Sequence, residues 1–421
     1  MKDLFEFISA SKTPYHTVEK IKEILLSHGF LELSERSENF SDGCPHFTVK
    51  DGSSIIAFKG RRGARGFTVT ASHCDTPTFR VKSSDLSGSY VKLSTEKYGG
   101  MILYSWLDRP LSVAGRVTLR TRDGIAVRTV DVDRSVCSIP SVAIHLNRGV
   151  NDGYKFNPKD DMLPLLSISK DADITKLVAS SLGVSADDII SSDLYLYNRE
   201  EPKLFGANDE FILSPRLDDL ACVYSSLSAF LSSEESESIS VLAVFNNEEV
   251  GSETKQGASS TFLDNTLYRI AGDRKTYLGM LKDSFMISAD NAHAKHPNHP
   301  ELSDAKYAPV LGGGIVIKHN ANQRYTTDAV SEAVLRVVAE RSSVSVQDYY
   351  NRADILGGST LGSISNTKVS IPTVDIGIPQ LAMHSATETC AVSDINDMTD
   401  VLRELYSSTI VFDGNEIKIT K

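Results

Sequence analysis

At 421 residues the chain is longer than a single hydrophobic core ordinarily grows, so it reads as two domains or as one domain carrying a large insertion. Its 44 Lys and Arg against 55 Asp and Glu leave a formal net charge of -11, which repels phosphate backbones and anionic lipid heads and argues against nucleic acid or a membrane surface as partner. The five cysteines (Cys44, Cys74, Cys137, Cys222, Cys390) are far apart and form no Cys-x-x-Cys pair, and no apolar run reaches signal-peptide or membrane-spanning length, so a reduced, cytoplasmic chain is expected.

The N-terminus reads as two helices. Leu4, Phe5, Phe7 and Ile8 share a face, and Thr13-Pro14 starts a second helix whose Val18, Ile21, Ile24 and Leu25 form an apolar stripe ending at Gly29. Short apolar runs follow at 54–58, 66–72, 241–245, 285–288, 314–317 and 369–376. They are nearly free of alternation, as strands buried on both faces of a helix-covered, mainly parallel sheet are. Between 82 and 205 the texture changes to clearer alternation (Val117, Leu119, then Val127, Val130, Val132), with turn pairs at Asp123-Gly124 and Asp152-Gly153. The predicted architecture is an α/β catalytic domain of three layers, αβα, built from residues 1–81 and 206–421, with a β-rich domain inserted at 82–205. Helical periodicity returns over 217–231 and again from Thr327, where Val330, Val334, Val337 and Val338 mark one face.

Metal-ligand side chains sit where the buried runs end: His73 and Asp75, Glu248 and Glu249, Asp290, and further on His384. In open α/β sheets the carboxyl ends of strands converge on the ligand, so residues remote in sequence meet there. His73-x-Asp75 suits a metal-bound imidazole oriented by a nearby carboxylate. Glu248 and Glu249 point in different directions, so one can bind metal while the other faces an attacking water. Asp218-Asp219 opens an apolar helix, where acids are ordinary caps, yet with His73, His384, Glu249 and Asp290 it completes a set able to hold two divalent ions, one carboxylate bridging. Nitrogen and oxygen ligands without thiolate suit zinc, with cobalt or manganese as alternatives.

Eight segments, ASHCDTP (71–77), SWLDRPLSVAGRV (105–117), VAIHLNR (142–148), SPRLDDL (214–220), NNEEVGS (246–252), SADNAHAKHPN (288–298), KHNANQRY (318–325) and PQLAMHS (379–385), resemble in order those of the M18 aminopeptidases, the family of aspartyl aminopeptidase and yeast vacuolar aminopeptidase I. The resemblance implies that His73, Asp218 and Asp290 bind one metal, that Glu249 and His384 bind the other and share Asp218, that Glu248 is the general base, and that Asp75 orients His73. Cys74 then reads as a packing residue. It further implies that His145 reaches from the inserted domain into a partner subunit's active site, that His293, Lys318 and Tyr325 contact substrate, and that dimers assemble into a tetrahedral dodecamer admitting peptides. The expected reaction is hydrolysis of the N-terminal residue from peptides with a free α-amine. Lys318 slightly favours an acidic first residue over a neutral one. Two other readings of the same residues are a two-metal amidohydrolase or deacylase, and a structural or cargo-binding assembly with little turnover.

Overall fold

The computed structural model describes residues 1–34, 36–37, 40, 43–355, 357–358 and 360–421. At its centre nine strands form one sheet in the order Leu31–Glu32, His46–Lys50, Ser54–Lys59, Ile239–Phe245, Phe67–His73, Phe285–Ala289, Thr373–Gly377, Ile315–His319, Val346–Tyr350. The four strands from Ile239–Phe245 to Thr373–Gly377 are mutually parallel, and antiparallel pairs lie to either side.

The apolar runs lack alternation because both faces are covered. Leu242 and Val244 join a core made with the N-terminal helices Lys2–Ala10 and Pro14–Ser27 and the helices Leu217–Ser232, Ala329–Arg341 and Val392–Tyr406. Val241, Ala243 and Phe245, on the opposite face, pack on Phe262, Leu267 and Tyr277 of helices Phe262–Ala271 and Arg274–Lys282. This is the αβα layering expected. One helix faces differently from its valine pattern: in Ala329–Arg341 the buried side chains are Ser331, Val334, Leu335, Val338 and Ala339, while Val330 and Val337 are exposed. At 100° per residue those two valines lie outside the buried arc, roughly 110–130° from its centre near Ser331.

Residues 78–198 contribute a six-stranded, wholly antiparallel sheet in the order Gly124–Asp131, Leu111–Thr121, Ile189–Asn198, Thr78–Ser87, Tyr90–Tyr98, Leu165–Ser167. The Asp123-Gly124 turn closes a hairpin, pairing Thr121 with Gly124. Val127 is exposed while Val130 and Val132 are buried, since residues an odd number apart face opposite sides of a strand. Asp152-Gly153 closes no hairpin and lies in a segment, 140–164, without helix or strand. A third sheet of very short strands, Lys203–Phe205, Phe211–Ser214, Glu388–Ala391, Pro379–Leu381 and Ala292–His293, joins the chain leaving the insertion to the C-terminal loops. No helix among the described residues is long and apolar enough to cross a membrane.

Candidate metal centre

The strands Ile239–Phe245, Phe67–His73 and Phe285–Ala289 lie side by side and in register, Phe245 opposite His73 and Ser288 opposite Ala71. Their carboxyl ends therefore open together, and they deliver Glu248-Glu249, His73-x-Asp75 and Asp290 to one cleft. Asp218 enters from the start of helix Leu217–Ser232, where Asp218 and Asp219 have non-helical backbone and so leave the path of an ordinary first turn. His384 comes from the turn between Pro379–Leu381 and Glu388–Ala391, with a φ of 68°.

The Asp218 carboxylate divides between the two histidines. Its Oδ1 lies 3.4 Å from His73 Nε2 and its Oδ2 3.4 Å from His384 Nε2. Asp290 Oδ1 stands 3.6 Å from His73 Nε2, and Glu249 Oε1 3.4 Å from His384 Nε2. Ligand atoms of His73, Asp218 and Asp290 thus gather in one trio and those of Asp218, Glu249 and His384 in another. Asp218 Oδ1 and Glu249 Oε1 are buried with no hydrogen-bond donor, an arrangement that costs free energy unless a cation answers it. The donors are imidazole nitrogen and carboxylate oxygen, the set that suits zinc. The residues therefore fit the metal that their types suggest.

Each histidine turns its other nitrogen to a carbonyl. His73 Nδ1 donates to the main-chain oxygen of Asp75 at 3.0 Å, and His384 Nδ1 to that of Gly100 at 2.9 Å. Both rings therefore present Nε2 to the cleft. The Asp75 carboxylate, expected to orient His73, stands 3.5 Å from Nδ1. It accepts instead the backbone N–H groups of Glu248 and Glu249, each at 3.1 Å, and the Tyr98 hydroxyl at 2.6 Å. Asp75 orients His73 through its main chain and fixes the Glu248-Glu249 turn through its side chain.

Burial, with Asp290, Asp75 and Asp218 nearby, pushes the Glu248 carboxyl up to about 8. Burial acts to lower His384, but Asp218 and Glu249 outweigh it and hold the imidazole at about 10. In a group of so many acids, a bound cation favours the ionised carboxylates and the neutral imidazoles together.

The chain matches the family model described as Aminopeptidase I zinc metalloprotease (M18) over residues 7–406. It belongs to the M18 aminopeptidases. A relative named probable M18 family aminopeptidase 2, from Clostridium acetobutylicum, is 43% identical, the match covering 96% of this chain and 98% of the relative. Among solved structures, Ape4 in complex with Nbr1 superposes with a TM-score of 0.92 at 34% identity, covering 96% of this chain and 85% of that one. The mApe1 dodecamer of S. cerevisiae gives 0.84 at 27%, covering 96% and 95%. This M18 aminopeptidase is thus a peptide-bond hydrolase of a zinc metalloprotease family.

The other predicted positions of the M18 chain fall into three kinds. His293, Lys318 and Tyr325 line the same cleft as the metal-ligand candidates, with Tyr349, Thr360 and Met383. Lys318 is 2% exposed, and its ammonium donates to Asp290 O at 2.7 Å, Asp290 Oδ2 at 3.1 Å and Asn291 O at 3.3 Å. Its three donors are thus already answered. His145 is exposed on the 140–164 segment and is absent from the lining of the cleft within its own subunit. Cys74 is buried, its thiol turned to the carbonyls of Ser53 and Phe245.

Sequence reasoning missed Tyr98, Gly100 and Glu388. The Tyr98-Gly99-Gly100 tripeptide carried a signal, a glycine pair at a strand end. Gly99 has a φ of 74°, and a Cβ there would come within 3.1 Å of Glu249 Cβ.

Proposed function

We propose that the chain is a two-zinc aminopeptidase, with His73, Asp218 and Asp290 holding one ion, Glu249 and His384 holding the other and sharing Asp218, and Glu248 acting as general base. The observation that carries this reading is the division of one buried carboxylate between two histidines, with Glu248 lining the same cleft but outside both trios completed by Asp218. When bound, the ions supply Lewis acidity, polarising a peptide carbonyl and lowering the pKa of a water. Glu248 takes the proton of the attacking water and passes it to the departing amine. Its position is set by Asp75, which holds its N–H and that of its neighbour.

The acidic floor of the cleft attracts the ammonium of a free N-terminus, restricting cleavage to the first residue. His293, Tyr325 and Lys318 face that residue's side chain. Since the Lys318 charge is shared with Asp290, the preference for an acidic over a neutral residue is slight. His145 comes from a second subunit and stabilises the developing oxyanion, a contact worth roughly 3 to 4 kcal/mol where one good donor is removed. Residues 82–205 serve as the dimerisation domain between catalytic parts 1–81 and 206–421. Val142, Ile144 and Leu146, apolar and exposed beside His145, support a covering partner there. The dodecamer of the related mApe1 supports assembly of such dimers into a tetrahedral dodecamer. The buried thiols of Cys74, Cys137, Cys222 and Cys390, none of them in a disulfide, support a cytoplasmic location.

Glu248→Gln tests the base. The variant is expected to bind the same metal as the wild type while kcat falls by roughly two orders of magnitude or more. Near-normal turnover in the metal-loaded variant would refute the role.

A further inference from the structure

Glu388 opens the strand Glu388–Ala391 and is 1% exposed. Its Oε1 accepts the backbone N–H of His384 at 2.7 Å and its Oε2 that of Asp218 at 3.0 Å. One side chain thus holds the backbones of two metal-ligand candidates that enter the site from opposite ends of the C-terminal half. The next polar side chain on it is the Gln380 amide, at 3.5 Å. A buried carboxylate held by amides, with Arg216 and His384 acting on it only across space and no ion pair to it among the described residues, is a poor stabilising device, and strand pairing does not require it, because Ser214 and Glu388 already pair through their backbones.

What it does satisfy is geometry. His384 and nearby Ala382 both have left-handed backbone, φ 68° and 57°, which side-chain-bearing residues adopt only where neighbours impose it. The Glu388 oxygen fixes the His384 N–H in that conformation, while its other oxygen fixes Asp218. Asp75 holds Glu248 and Glu249 in the same manner, one N–H on each oxygen. The two carboxylates therefore clip four residues of the site in two pairs.

We propose that Glu388 is a positioning residue of the metal centre, setting the spacing between Asp218 and His384 and through it the affinity for the ion that these residues hold with Glu249. This rests on the two-zinc reading above. Loss of an outer partner of this type ordinarily weakens metal binding 10–100-fold.

The test is zinc affinity. Metal-free wild type, Glu388→Gln, Glu388→Asp and Cys390→Ala, each checked for wild-type mass and far-UV circular dichroism, are titrated with Zn2+ against a chromogenic chelator, and the visible spectra of their Co2+ forms are recorded. Wild type is expected to take two ions. Glu388→Gln should bind the ion of the Asp218, Glu249 and His384 trio about 10–100-fold more weakly, the ion that shares Asp218 with it being weakened less, and show an altered cobalt spectrum. Glu388→Asp, too short to reach both N–H groups, should show the same change at smaller size, and it supplies the reading if the glutamine chain does not assemble. Cys390→Ala, on the same buried strand, should match the wild type. Wild-type affinity at both sites in the Glu388 variants, or an equal loss in Cys390→Ala, overturns the proposal. Fewer than two ions in the wild type would instead overturn the two-zinc reading beneath it.

Discussion

The Tyr98 hydroxyl donates to Asp75 Oδ2 and accepts from Asn247 Nδ2 at 2.9 Å, so it holds the carboxylate that in turn fixes Glu248 and Glu249. Two residues later the Gly100 carbonyl orients His384. Tyr98→Phe removes one hydroxyl and keeps the ring, which packs edge-on against Tyr195. It should lower kcat by roughly tenfold, about the effect of losing one hydrogen bond to a charged group, with KM changed less than twofold. Steady-state kinetics check this, and a rise in KM at constant kcat would place Tyr98 in substrate binding instead. The contrast with His73 shows what a sequence can reveal at this scale. His73, Glu248, Glu249 and Asp290 were readable because each follows a buried run. Tyr98 ends an alternating strand and Glu388 begins one of only four residues, so neither stood out from the polar residues that face solvent on such strands.

Among elements, the buried strands were legible because a strand covered on both faces has no polar side to disguise it. The five-stranded sheet was not, since strands of two to four residues are too short to show a period. The exposed valines of Ala329–Arg341 show the related limit that apolar periodicity locates a helix better than it aims one. A consequence arises where helix Pro14–Ser27 meets the inserted sheet, beside the ion pair of Lys12 with Asp131. Burial holds His16 down to about 4, below the ~6.5 of an unfolded chain. Between those values the unfolded chain binds a proton that the folded chain refuses, so stability falls as pH drops from about 6.5 to 4. Melting temperatures at pH 7 and pH 5 check this. His16→Gln should reduce the drop, and an equal drop in the variant would remove His16 as its source.

Across the whole molecule, the M18 match from residue 7 to 406 includes both the nine-stranded sheet and the sheet inserted between its strands. The inserted segment supplies Tyr98 and Gly100, which hold Asp75 and His384 of its own subunit, and in the proposed dimer it also supplies His145 to the partner's cleft. The first contribution could not be read from composition, because it depends on where the segment folds back, and the proposed second would depend on a partner's surface. The reaction can be tested independently of that assembly. The most direct measurement is the release of the first amino acid from a short peptide and from its N-acetylated counterpart, by protein as purified, after chelation and after zinc is restored. The account predicts release from the free peptide alone, lost on chelation and regained with zinc. Comparable turnover of the blocked peptide, or undiminished release from fully chelated protein, would contradict it.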